Sequence, residues 1–127
     1  MANEITVVAS LTYVDASITL QTISLEIAPP GTFTISSPRS VRNQMSVPTT
    51  AGGTVIPMGS VSTPGWALFK NLDATHYVEI LSAVSGTTFA RLNPKEVALL
   101  RLPPGMTAPA ALANTAAVLL DYLILDN

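Results

Sequence analysis

Val118-Leu119-Leu120-Asp121-Tyr122-Leu123-Ile124-Leu125 closes the chain with a run broken by one charge only. Divided at period two, Val118, Leu120, Tyr122 and Ile124 share one face, and Leu119, Asp121, Leu123 and Leu125 share the other. A strand with one wet face alternates apolar with polar residues. A strand that is apolar on both faces is central in its sheet, or sets one face against another subunit. Glu96-Val97-Ala98-Leu99-Leu100-Arg101-Leu102 has the same double-sided character, with Arg101 as its polar exception. A register that pairs Arg101 with Asp121 would satisfy both.

Upstream of these runs the pattern repeats. Strands are predicted at 66–70, 76–82, 87–92, 96–102 and 117–125, with turns at 71–75, Val84-Ser85-Gly86, Asn93-Pro94-Lys95 and Pro103-Pro104-Gly105. Short strands spaced about 8–12 residues apart predict an all-β fold, a sandwich or a barrel, and the fold expected is an antiparallel β-sandwich of jelly-roll or other Greek-key type. The best helical candidate is 109–113, with Pro109 at a first-turn position and little more than one turn to follow.

The first half is less regular. Strands are expected at 5–13, 17–28 and 32–36, with a turn at Pro29-Pro30-Gly31. In the second of these the apolar phase slips between Thr22 and Ile23, which predicts a bulge or a change of sheet. Residues 37–64 form an irregular Pro/Gly/Ser/Thr-rich segment in which 41–47 and 54–58 read as short edge strands. The length of 127 residues predicts one domain over 1–127.

Composition narrows the function classes. Only 11% of residues are charged, against about 25% in a typical soluble domain, and Ser and Thr make up about a fifth of the chain. A surface so poor in charge is easily desolvated, which predicts burial against other protein. Six Lys and Arg stand against eight Asp and Glu, and no basic stripe occurs, so a nucleic-acid partner is not expected. Without cysteine there is neither a disulfide nor a thiolate site. The N-terminal Met1-Ala2-Asn3-Glu4-Ile5-Thr6-Val7-Val8 has no basic region followed by an apolar run, and prolines interrupt both long uncharged stretches. Neither a secretory signal nor a membrane span is predicted.

His76 follows Asp73 by three, a spacing that suits a base and its orienter as well as a strand-start histidine behind a turn aspartate. The Gly-x-Ser-x-Gly elbow is absent. One His and scattered carboxylates predict no metal, and Gly52-Gly53 without a following Lys-Ser/Thr predicts no phosphate loop. No cofactor and no catalytic residue is therefore expected. Trp66 reads as core, or as a sugar-stacking platform if it shares an exposed face with Tyr77. Arg39, Arg42 and Met45, with Met58 further on, are candidate protein-interface residues, since Arg and Met are enriched where proteins meet. The same segment also reads as a solvated loop carrying two positive charges.

Gly65-Trp66-Ala67-Leu68-Phe69-Lys70-Asn71-Leu72-Asp73, followed by Tyr77-Val78-Glu79-Ile80, resembles segments of small structural proteins of tailed bacteriophages. So do residues 92–105 and the closing Ala113-Asn114-Thr115-Ala116-Ala117-Val118 with its apolar strand. The resemblance covers roughly the second half and is greatest for head decoration, or cement, proteins. It implies a non-enzymatic β-sandwich on the capsid surface of a virion, made in the host cytoplasm. It also implies a homo-oligomer, with a trimer favoured, and the major capsid protein as partner. A tail, neck or baseplate component is the alternative within virions, and a carbohydrate-binding module the alternative outside them.

Overall fold

Alternation decides which side of each long strand is buried. In the computed structural model, residues 39–127 are described throughout. Before them, the backbone of four strands is described: β1 (Glu4–Val7), β2 (Ser10–Asp15), β3 (Gln21–Glu26) and β4 (Gly31–Thr34). The chain divides into two compact units, Met1–Ser36 and Ser37–Asn127, where the sequence predicts one domain over 1–127.

In the first unit β1 pairs with β4 and β2 with β3, both antiparallel. The strand expected over 5–13 is two strands, β1 and β2. The predicted slip between Thr22 and Ile23 does not occur, because β3 pairs with β2 in one continuous register from Gln21 to Glu26. Pro29 and Pro30 of the expected turn lie outside the described residues.

The second unit holds β5 (Ser40–Val47), β6 (Thr54–Val55), β7 (Pro64–Asn71), β8 (Val78–Leu81), β9 (Thr88–Leu92), β10 (Val97–Arg101), β11 (Ala110–Ala113) and β12 (Val118–Asp126). They form two four-stranded antiparallel sheets, β10-β7-β12-β5 and β6-β11-β8-β9. Only the β8–β9 connection stays within a sheet; every other one crosses to the opposite sheet. The two inner faces share one core. Ala67, Phe69, Val118, Leu120, Tyr122 and Ile124 come from the first sheet, and Val78, Ile80, Leu92, Ala111 and Ala113 from the second. This is a β-sandwich, and burial of each large side chain in it stabilises by about 1.5–3 kcal/mol.

β12 is central, between β7 and β5, one of the two places its apolar faces allow, whereas β10, with the same double-sided character, is an edge strand. β5 and β6 are edge strands, and β5 is a full eight residues long. Part of this Pro/Gly-rich stretch nonetheless reaches the core, because Val47, Ile56 and Val61 are buried in it.

The best helical candidate, 109–113, is not helical, in keeping with the all-β reading. Ala110–Ala113 is strand β11, paired with β6 on one side and β8 on the other. Ala and Leu favour a helix in isolation. Here Ala110, Ala111 and Ala113 are buried, and small side chains let neighbouring backbone approach closely. A Cβ on Gly53 would lie 3.1 Å from the Ala111 carbonyl oxygen.

One end of the first sheet is tied down by Asp126, a buried carboxylate. The Thr63 N–H donates to its Oδ1 at 2.7 Å, and Arg39 Nε lies 3.3 Å from its Oδ2. The main chain repeats the link: Asp126 N–H donates to the Arg39 carbonyl, and Asn127 N–H to that of Thr63.

Candidate protein-binding face

The outer face of the first sheet is built from the residues that alternation turns away from the core. Register places them in rows across β10, β7, β12 and β5. One row is Val97, Lys70, Asp121, Gln44; the next is Leu99, Leu68, Leu123, Arg42; the third is Arg101, Trp66, Leu125, Ser40. Val97 is 55% exposed, Leu99 and Leu119 43%, and Leu68 37%. Singly exposed apolar side chains are ordinary. A contiguous group on one sheet face makes that face a candidate for contact with a partner.

This face also has relief. A groove of about 260 Å³ runs over Leu68 and Leu123, with Val97, Arg42, Lys70 and Asp121 at its sides. Lys70 and Asp121 are direct cross-strand neighbours, yet neither they nor Arg42 has an ion-pair partner within 4 Å among the described residues. The expected Arg101–Asp121 pair is corrected here, because register sets Arg101 opposite Trp66 and Asp121 opposite Lys70. Arg101 instead donates from Nη2 to Asn127 Oδ1.

The outer face of the second sheet is different in kind. Its charges are already satisfied: Glu79 Oε1 accepts from Arg91 Nη2 at 2.8 Å and from Nε at 3.2 Å. Arg91 also lies 4.2 Å above the Tyr77 ring, and its pKa is raised by the hydrogen bond to Glu79. Phe89 is exposed on β9 beside the register shift at Ile80/Leu81.

The predicted interface residues do not converge. Arg42 lines the groove on the outer face. Met45 and Met58 pack, partly buried, against the inner core. Arg39 is at the Asp126 clasp, where its Nη1 also donates to the Ser60 carbonyl at 3.3 Å. Trp66 is half-buried on the outer face and not in the core, with the Arg101 guanidinium 5.7 Å from its ring. Tyr77 belongs to the other sheet's end, so the two rings do not form one platform. Leu119 and Leu123 belong to the strand face that the sequence offers to a sheet neighbour or another subunit, whereas Leu68, Val97 and Leu99 were not singled out from sequence.

The Asp73–His76 spacing resolves into a turn. Asp73 Oδ1 accepts from the N–H groups of Thr75 and His76, both at 2.7 Å, and from Thr75 Oγ1 at 3.2 Å. These bonds, the Thr75 backbone bond first, lower the Asp73 pKa to about 2. His76 Nδ1 lies 2.8 Å from Thr75 Oγ1 and 3.3 Å from Asp73 Oδ1. The carboxylate oxygen is occupied by main-chain donors, and the arrangement organises the approach to β8. Among the described residues no group of three or more His, Cys, Asp or Glu could hold a metal ion. No helix among them is long and apolar enough to cross a membrane.

Comparison with protein-family models, with curated proteins and with solved structures returns no match.

Proposed function

We propose that this chain is a non-enzymatic structural subunit of a virion, a capsid decoration protein that binds the outer shell and bridges major capsid subunits. The observation that carries this reading is the exposed apolar face of the first sheet, with Val97, Leu99, Leu68 and Leu119 at the surface of one β-sandwich unit. A free monomer gains nothing from such a face, whereas a subunit held against repeated neighbours buries it. The resemblance of residues 65–73, 77–80, 92–105 and 113–118 with its apolar strand to small tailed-phage structural proteins supplies the virion context. Self-association, favoured as a trimer, would multiply modest contacts into avid binding.

The test is co-sedimentation of the purified chain with expanded, DNA-filled capsid shells and, separately, with isolated tails. Saturable binding to shells at a fixed ratio to the capsid subunit is expected. Binding to tails alone would assign the chain to the tail, neck or baseplate. Binding to neither would remove the virion reading.

A further inference from the structure

The chain carries a net charge of −2, but its apolar outer face is basic. Arg42, Lys70 and Arg101 project from three different strands of the first sheet, and Asp121 is the one acidic side chain in the rows between them. Two of the three cations, Arg42 and Lys70, flank the groove over Leu68 and Leu123 without an ion-pair partner among the described residues. Cations beside apolar surface, unpaired in the free protein, are complementary to a carboxylate brought in by something else.

From this we infer that the outer face of the first sheet docks an apolar segment of another protein that carries carboxylates beside its apolar side chains. This rests on the reading of the face as a docking surface, and it specifies the partner's chemistry. The apolar side chains cover Leu68, Leu99 and Leu123, and the carboxylates lie between Arg42 and Lys70. A second copy docked face to face does not fit. It would set three cations against three cations with one carboxylate on each side, and like charges brought together at an interface are unfavourable. Asp121, directly opposite Lys70, opposes an incoming carboxylate and so tempers the affinity for an acidic segment.

Trp66 is the one tryptophan and sits on this face, so its fluorescence reports docking directly. The full chain is titrated with three capped octapeptides: alternating Leu-Glu, alternating Leu-Lys and alternating Ser-Glu. The Leu-Glu peptide is expected to change Trp66 emission saturably, with affinity falling as salt is raised, and the other two to bind at least about tenfold more weakly. Arg42→Glu and Lys70→Glu are each expected to weaken Leu-Glu binding by up to about fivefold, the range of an exposed ion pair. Asp121→Asn is expected to tighten it. Because these positions face away from the core, circular dichroism is expected to match the unaltered chain for all three variants.

Equal binding of Leu-Glu and Leu-Lys peptides, or no saturable response, would overturn the inference. So would sedimentation showing a dimer that Leu123→Glu dissociates, since the occupant would then be a second copy. A chain that binds the acidic peptide but no capsid shell keeps this inference and loses the virion assignment. A chain whose shell binding ignores Arg42→Glu and Lys70→Glu keeps the assignment and loses the inference.

Discussion

Asn71 Nδ2 donates to the Leu92 carbonyl at 3.1 Å from a fully buried position, and so ties the end of β7 in one sheet to the end of β9 in the other. The same amide nitrogen reaches the carbonyls of His76 at 2.9 Å and Asn93 at 3.1 Å, while Oδ1 accepts the Asp73 N–H at 2.9 Å. One polar side chain thus satisfies the main chain where two strands and a turn meet.

Asn71→Ala strands those partners in a buried site. Each unsatisfied buried group costs about 1–3 kcal/mol, so a loss of about 2–4 kcal/mol is expected. Asn71→Asp is expected to be worse at neutral pH, because it points a carboxylate at carbonyl oxygens, and to recover partly in acid. Urea unfolding of both variants at pH 7 and pH 5 checks the order.

Asp73, with its pKa lowered from 3.8 to about 2, makes stability pH-dependent in a defined direction. Its contribution is fully present above the unfolded value near 3.8 and disappears as pH falls through about 2. Asp73→Asn removes the ionisation. The difference in urea midpoint between the two proteins is therefore expected to shrink between pH 4 and pH 2; a constant difference would refute the assignment.

Tyr122 has its pKa raised by burial, and its hydroxyl donates to the Pro57 carbonyl at 3.0 Å. A raised folded pKa stabilises below the unfolded value near 10.0 and loses that effect as pH climbs through the folded value. Tyr122→Phe is expected to cost about 1 kcal/mol at pH 7 and to flatten the alkaline part of the stability profile. Thermal unfolding from pH 8 to pH 11 measures both effects.

Gly52 has φ +85, and a Cβ there would lie 2.7 Å from Ser85 Oγ, while the Ser85 N–H donates to the Gly52 carbonyl. Gly52→Ala is expected to destabilise by about 1–3 kcal/mol through the left-handed backbone and the clash together. Adding Ser85→Ala removes the clash and not the backbone strain, so only part of the loss is expected to return. Full recovery would show that the backbone conformation costs nothing.

Leu99→Ser and Leu119→Ser change exposed side chains on the outer face. Each is expected to shift unfolding by under about 0.5 kcal/mol and to weaken saturable binding to capsid shells. Sedimentation of variants whose melting curves match the unaltered chain separates docking from folding.

The all-β class and the inner face of β12 were legible because period-two burial is written locally, in Val118, Leu120, Tyr122 and Ile124. Strand β11 was not. Ala110-Ala111-Leu112-Ala113 has helix-favouring composition, and its conformation follows from pairing with β6 and β8, which no four-residue window contains. Trp66, at the start of an apolar strand, reads as core or as an exposed platform, and its phase beside Ala67 and Phe69 turns it outward.

By itself the sequence determined which residues of each long strand share a face, since backbone geometry alternates side chains whatever the neighbours are. It also determined that β10 and β12 would carry more apolar surface than one core needs. The tertiary structure alone decided that Arg42, Lys70 and Arg101 stand on one face with Leu68, Leu99 and Leu123. They come from three strands far apart in the chain, and they meet only through the registers of β10 on β7, β7 on β12 and β12 on β5. Those registers follow from packing against the second sheet, a long-range requirement that local pattern does not encode.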